Sequence, residues 1–133
     1  MFRTFTLKTT WEGFYNITSY VRQAVTESGI QEGIAIVTCP HTTAGITVTD
    51  NCDIDDGLKD DMMLAYQKAF PERPQFRNKE GNSDAYAKAS LCGNSAMVII
   101  DGNELVLGAY QGIFLVEFDE PSDRMFCVKI LKG

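Results

Sequence analysis

The sequence predicts an α+β fold, a mainly antiparallel β-sandwich with two main helices. Three observations predict it. Several short segments alternate apolar and polar residues with a period of two, two segments repeat apolar residues at helical spacing, and the two kinds do not follow one another in a regular βαβ order. The 133 residues suffice for one core and leave no room for separate cofactor and substrate domains, so residues 1–133 are read as a single domain.

The chain opens with a strand: Phe5 and Leu7 alternate with Thr4, Thr6 and Lys8 between Arg3 and Thr10. A first amphipathic helix follows, with Asn16 as cap, Ile17, Tyr20, Val21, Ala24 and Val25 as its apolar stripe, and Gly29 at its left-handed end. Ile34 to Val37 reads as a buried strand that stops at Cys39-Pro40-His41, because proline cannot donate to a sheet ladder. Ile46 and Val48, alternating with Thr47 and Thr49, give the next strand, which leaves His41 on a tight link between two strands. Asp50, Asn51, Asp53, Asp55 and Asp56 lead into a second helix with the stripe Ile54, Leu58, Met62, Ala65 and Tyr66, ended by Pro71.

Pro71 to Asn82 is the one long segment without periodicity. A short stretch from Asp84 to Leu91 fits a further helix. Met97–Ile100 and Leu105–Leu107, joined through Asp101-Gly102, form a predicted hairpin, and Ile113–Phe118 with Met125–Leu131, separated by Pro121-Ser122-Asp123, a predicted second pair. The count is six or seven strands, with no internal repeat.

Eighteen acids against twelve bases give a net charge of −6, which repels phosphate backbones and anionic lipid, so neither nucleic acid nor a membrane is an expected partner. The four cysteines, at 39, 52, 92 and 127, have no CxxC spacing and are expected as free thiols. The alternating start is unlike a signal peptide and no apolar run reaches the ~18 residues of a membrane span, so the expected location is the cytoplasm, where thiols stay reduced.

Three constellations could carry chemistry, each with a plainer reading beside it. His41, the single histidine, stands beside Thr42 and Thr43 and has the one side chain suited to proton transfer near neutrality; the plain reading is a strand-end histidine satisfied by local partners. Glu80-Gly81-Asn82-Ser83-Asp84 combines two acids able to hold Mg²⁺ with a glycine that lets amides approach a ligand, or is a turn with a helix cap. Gly108-Ala109-Tyr110-Gln111-Gly112 brackets an aromatic and an amide with glycines, or is a bulge between strands. No P-loop, dinucleotide fingerprint or GxSxG elbow is present.

Taken in order, His41-Thr42-Thr43-Ala44, Asn51-Cys52-Asp53, Glu80-Gly81-Asn82, Lys88-Ala89-Ser90-Leu91 and Gly108-Ala109-Tyr110-Gln111-Gly112-Ile113 resemble the YjbQ-like family, often labelled secondary thiamine-phosphate synthase, over nearly the whole chain. The resemblance implies a compact α+β fold with a β-sandwich, a homotrimer, a pocket built from these segments, and weak synthesis of thiamine phosphate. The trimer also fits a chain with more strand faces than two helices can cover.

The departures concern histidines. Family members carry two more, where this sequence has Asn78 and Tyr86, so a three-histidine zinc site cannot be built from one chain. The family's tryptophan is here Tyr110. The resemblance implies an enzyme that joins a pyrimidine pyrophosphate to a thiazole phosphate. In that reading His41 moves a proton, Glu80, Asp84 or Asp53 holds Mg²⁺, and Lys88 or Arg124 meets phosphate, while Thr42, Thr43, Asn51, Gly81, Asn82, Tyr110 and Gln111 line the ligand site. The alternatives are a non-catalytic protein that binds a phosphate-containing small molecule, and a purely structural trimer subunit.

Overall fold

The structure, a computed structural model, describes residues 1–51 and 57–133. Its elements are β1 (Phe2–Lys8), β2 (Gly13–Asn16), α1 (Thr18–Ser28), β3 (Glu32–Thr38), β4 (Ala44–Asp50), α2 (Leu58–Ala69), α3 (Ser83–Cys92), β5 (Ser95–Asp101), β6 (Glu104–Leu105), β7 (Gln111–Glu117) and β8 (Asp123–Lys132). One sheet has the order β1-β8-β3-β5-β6, the other β2-β7-β4, and every pairing is antiparallel. The predicted α+β fold, mainly antiparallel, is the observed one; the Asp84–Leu91 stretch is a full third helix.

The inner face of the large sheet presents Ala35, Val37, Ile100, Phe126, Val128 and Ile130 to the stripe of α1 and to Ile46, Ile113 and Leu115 of the small sheet. On the far side of the small sheet, Val116 and Phe118 pack with Met63 of α2 and with Ala85 and Ala89 of α3. Strand β7 is thus covered on both faces, which explains its unbroken apolar sequence.

α1 follows its predicted stripe and its predicted end, but its N-cap is Ile17, one residue after the expected Asn16. Asn16 Oδ1 accepts from the Thr18 amide at 3.0 Å and Gly29 closes the helix at φ 66°. The hairpin turns through Gly102 and Asn103, both at φ 60°, the pair of positive values a two-residue type I′ turn needs. Asn103 then ties the turn to α1 through bonds to the carbonyls of Val25 and Ile30.

Four expectations need correction. β7 and β8 do not pair with each other: β8 runs between β1 and β3 in the large sheet, while β7 runs between β2 and β4 in the small one. The segment between them is a crossing from sheet to sheet, not a hairpin turn. Ile34 is not buried; in β3 the side chains alternate, with Ala35 and Val37 facing the core and Ile34 outward at 38% exposure. The buried contact of α2 is Met63, whereas Ala65 is exposed, and Ile54 lies outside the described residues. Among the described residues the strands number eight, because β2, four residues long, is too short for a period-two pattern to reveal.

Candidate functional site

Three links cross between the sheets at the same end of the sandwich: β1 to β2, β3 to β4, and β7 to β8. Strand alternation decides what meets there. Glu117 shares the inward face of β7 with Ile113 and Leu115, and Arg124 shares the inward face of β8 with Phe126, so acid and base meet between the sheets.

Glu117 is fully buried, and Arg124 is 6% exposed. Arg124 donates from Nε to Glu117 Oε1 at 2.7 Å, from Nη2 to Oε2, and from Nη2 to Thr43 Oγ1 at 2.8 Å. Thr9 Oγ1 donates to Glu117 Oε1 at 2.7 Å and accepts from the Ser122 amide at 3.0 Å; the Asp119 amide donates to Oε2 at 3.1 Å. Each crossing link is therefore bonded to one ion pair, whose hydrogen bonds push the Arg124 guanidinium above its ordinary value. Sequence reading missed Glu117, although an acid at the end of an apolar run covered on both faces was a usable signal.

His41 lies beside this cluster. Its Nε2 accepts from the Met125 amide at 2.8 Å, so the neutral ring carries its proton on Nδ1. Burial pulls its pKa below the ordinary 6.5, the Arg124 guanidinium adds to that, and Glu117 opposes it. Burial likewise pushes the thiols of Cys39 and Cys92 up, which keeps them protonated and poorly nucleophilic. Cys39, Cys92 and Cys127 are unpaired, as expected; Cys52 lies outside the described residues.

The lowered His41 value has a measurable sign. The unfolded chain binds more protons than the folded one between the lowered value and 6.5. The contribution of His41 to stability is therefore complete above 6.5 and drains away as pH falls through the lowered value. A His41→Gln variant should lose less stability than the parent between about pH 7 and about pH 5. Urea unfolding of both proteins across that range checks it, and parallel curves would refute it.

A shallow groove of about 410 Å³ opens at His41, lined with Thr42 and, from α3 and the turn after it, Tyr86, Ala89, Ser90, Gly93 and Asn94. The segment His41-Thr42 thus meets both Tyr86 and part of the Lys88–Leu91 segment. Close packing brings α3 there: a Cβ on Gly45 would stand 2.6 Å from the Gly93 carbonyl oxygen and 2.9 Å from Cys92 Sγ.

The other predicted site residues lie elsewhere. Glu80, Gly81, Asn82 and Asp84 line a separate cleft of about 980 Å³. Asn78 and Asn82 bond to each other and Asn82 bonds to Asp119. Lys88 is buried, its ammonium donating to Asp84 Oδ2 at 2.8 Å. Tyr110 is 77% exposed and Gln111 closes a turn back to the Gly108 amide. Tyr110 and Gln111 stand with Asn51 at the far end of β4, since Asp50 pairs with Gln111 and Ala44 with Glu117. Seven residues of strand put roughly 20 Å between that end and His41.

Among the described residues no donor set for Mg²⁺ is assembled. Glu80 and Asp84 share the large cleft, Asp84 is engaged by Lys88, and among the described residues no three acidic, cysteine or histidine groups converge; Asp53 lies outside them.

A family model described as UPF0047 protein YjbQ-like matches residues 3–133. UPF0047 protein MJ1081 of Methanocaldococcus jannaschii is 43% identical over 120 residues, covering 90% of this chain and 86% of its own. UPF0047 protein YugU of Bacillus subtilis is 40% identical over 133 residues, covering 98% and 99%. Among solved structures, an uncharacterised yjbq/upf0047 protein from Clostridium acetobutylicum superposes with a TM-score of 0.90 at 45% identity, covering 97% of this chain and 99% of that one. A protein of unknown function from Sulfolobus solfataricus P2 gives 0.92 at 28%, covering 100% and 97%.

Proposed function

Because the chain belongs to the YjbQ-like family, UPF0047, we propose that its working site is the His41 groove and that this groove holds a phosphorylated small molecule. One observation carries the reading: Met125 occupies His41 Nε2, which leaves the neutral ring an Nδ1–H donor, in a groove whose lining also includes the hydroxyl residues Thr42, Tyr86 and Ser90. Neutral donors of this kind suit phosphate oxygens. The same bond counts against His41 as a general base, because protonating Nε2 would cost the Met125 bond.

The second reading keeps a low rate of thiamine-phosphate synthesis, by joining a pyrimidine pyrophosphate to a thiazole phosphate. What favours it is the meeting of His41 with α3; what weighs against it is the separation of His41 from Glu80 and Asp84.

The test is calorimetric titration with inorganic phosphate, the pyrimidine pyrophosphate and the thiazole phosphate, with a thermal melt alongside. His41→Ala should abolish saturable binding while changing stability by no more than about 1 kcal/mol. A destabilised variant that binds normally when folded would overturn the site. Product formed from the two precursors by the parent protein would decide for the synthase.

The same proposal includes a cytoplasmic homotrimer with no nucleic acid or membrane partner. It is supported by the outer face of the large sheet, where Met97 and Ile99 are 73% and 61% exposed in line with Ile34 and Leu131. Among the described residues no helix is long and apolar enough to cross a membrane. Sedimentation equilibrium should return three times the 14.8 kDa chain mass, and a clean monomer would reject the assembly.

A further inference from the structure

The cleft of about 980 Å³ is a different environment from the His41 groove. Its floor is apolar, with Phe14, Met63 and Phe118, and its walls carry Glu12, Asp60, Asp61, Glu80, Asp119 and Glu120. The single cation in its lining among the described residues, Lys59, is already engaged: its ammonium donates to the Asp50 carbonyl at 2.6 Å and stands 4.8 Å from the centre of the Phe114 ring. Glu12 accepts from the Gln67 amide at 3.0 Å with no cation paired to it, while Asp119 accepts from Asn82 at 2.9 Å and also feels the charge of Arg124.

At the rim stands Trp11, 75% exposed, a costly place for an indole. It is not on a loose loop. Tyr15 Oη accepts from the amides of Thr10 and Trp11 and donates to the Trp11 carbonyl at 2.6 Å, which fixes the backbone that presents the ring. A fixed aromatic face, an apolar floor and an excess of carboxylates over cations in the lining are together complementary to a cation with a hydrocarbon body. They repel an anion. They also suit a bare divalent ion poorly, since among the described residues no three carboxylates converge.

We infer that this cleft binds a flexible organic polycation of the linear polyamine class, its methylenes on Trp11 and Phe14 and its ammonium groups on the acidic walls. The inference stands apart from the phosphorylated ligand proposed for the His41 groove.

Trp11 is the only tryptophan of the chain, so intrinsic fluorescence reports this cleft directly. Titration with spermidine should give a saturable change in emission with a dissociation constant below the millimolar range. Sodium chloride or magnesium chloride at matched ionic strength, and inorganic phosphate, should not reproduce it. The Asp61→Asn/Glu120→Gln double variant, with an unchanged circular dichroism spectrum, should bind at least tenfold more weakly, and Trp11→Ala should bind more weakly by calorimetry. The inference is overturned if neither fluorescence nor calorimetry detects saturable binding, if salt alone reproduces the change, or if the double variant binds as tightly as the parent. His41→Ala should leave spermidine binding intact; losing it there would also overturn the inference, by showing that the two sites are one.

Discussion

Replacing Glu117 by alanine should destabilise the protein by about 3–5 kcal/mol, because it strands the buried Arg124 guanidinium without its partner. The loss has more than one route. Thr9 and the Asp119 amide lose their acceptor with it, so the β1–β2 and β7–β8 crossings loosen together with the β3–β4 link that Arg124 holds through Thr43. Replacing both partners, Glu117→Leu with Arg124→Met, should cost much less than the two single changes added, because no charge is then left in the interior. Urea unfolding of the parent, both single variants and the double variant gives the coupling directly. Additive losses would mean that the pair contributes nothing as a pair.

Phe126→Ala should cost about 3–5 kcal/mol by opening a cavity between α1 and the large sheet. Phe126 has no exposed surface, its ring stacks on Phe5 with centroids 5.2 Å apart, and Tyr20 meets it edge-on at 5.7 Å. Three elements distant in sequence therefore close on one ring, and the aromatic geometry adds to what its area alone contributes. A midpoint shift worth less than about 1 kcal/mol would show that the core collapses into the space. Neither substitution alters a groove-lining side chain, so ligand binding by the folded fraction should survive Phe126→Ala.

Local rules made much of this architecture readable. Phe5 and Leu7 alternate over a strand with one wet face, the α1 stripe is bounded by Asn16 and Gly29, and Gly102 permits the tight turn. What escaped depends on distance. Ile113–Phe118 and Met125–Leu131 look like two arms of a hairpin, and only the placement of β4 and β1 beside them separates them into different sheets. Ile34 and Ile36 look buried because period-two reading assumes the outer face of a strand to be polar, and in this large sheet it is not. The candidate site divides in the same way. His41 and the α3 segment are 45 residues apart at Tyr86 yet share a groove. Tyr110-Gln111, equally prominent as a motif, lies at the opposite end of β4, a separation no spacing along the chain encodes.

The pairing of β1 with β8 has a consequence for biosynthesis. All seven residues of β1 find their partners between Asp123 and Lys129, so the edge of the large sheet cannot close until those residues exist. At about 5–20 residues per second, the first strand waits on the order of 6–25 s after its own translation. Throughout that interval Phe5 and Leu7 have no β8 ladder to join, and the nascent chain is most open to capture by a chaperone or by another unfinished copy. Emergence of β8, more than the formation of any local helix or hairpin, is then the event that commits this chain to its native state.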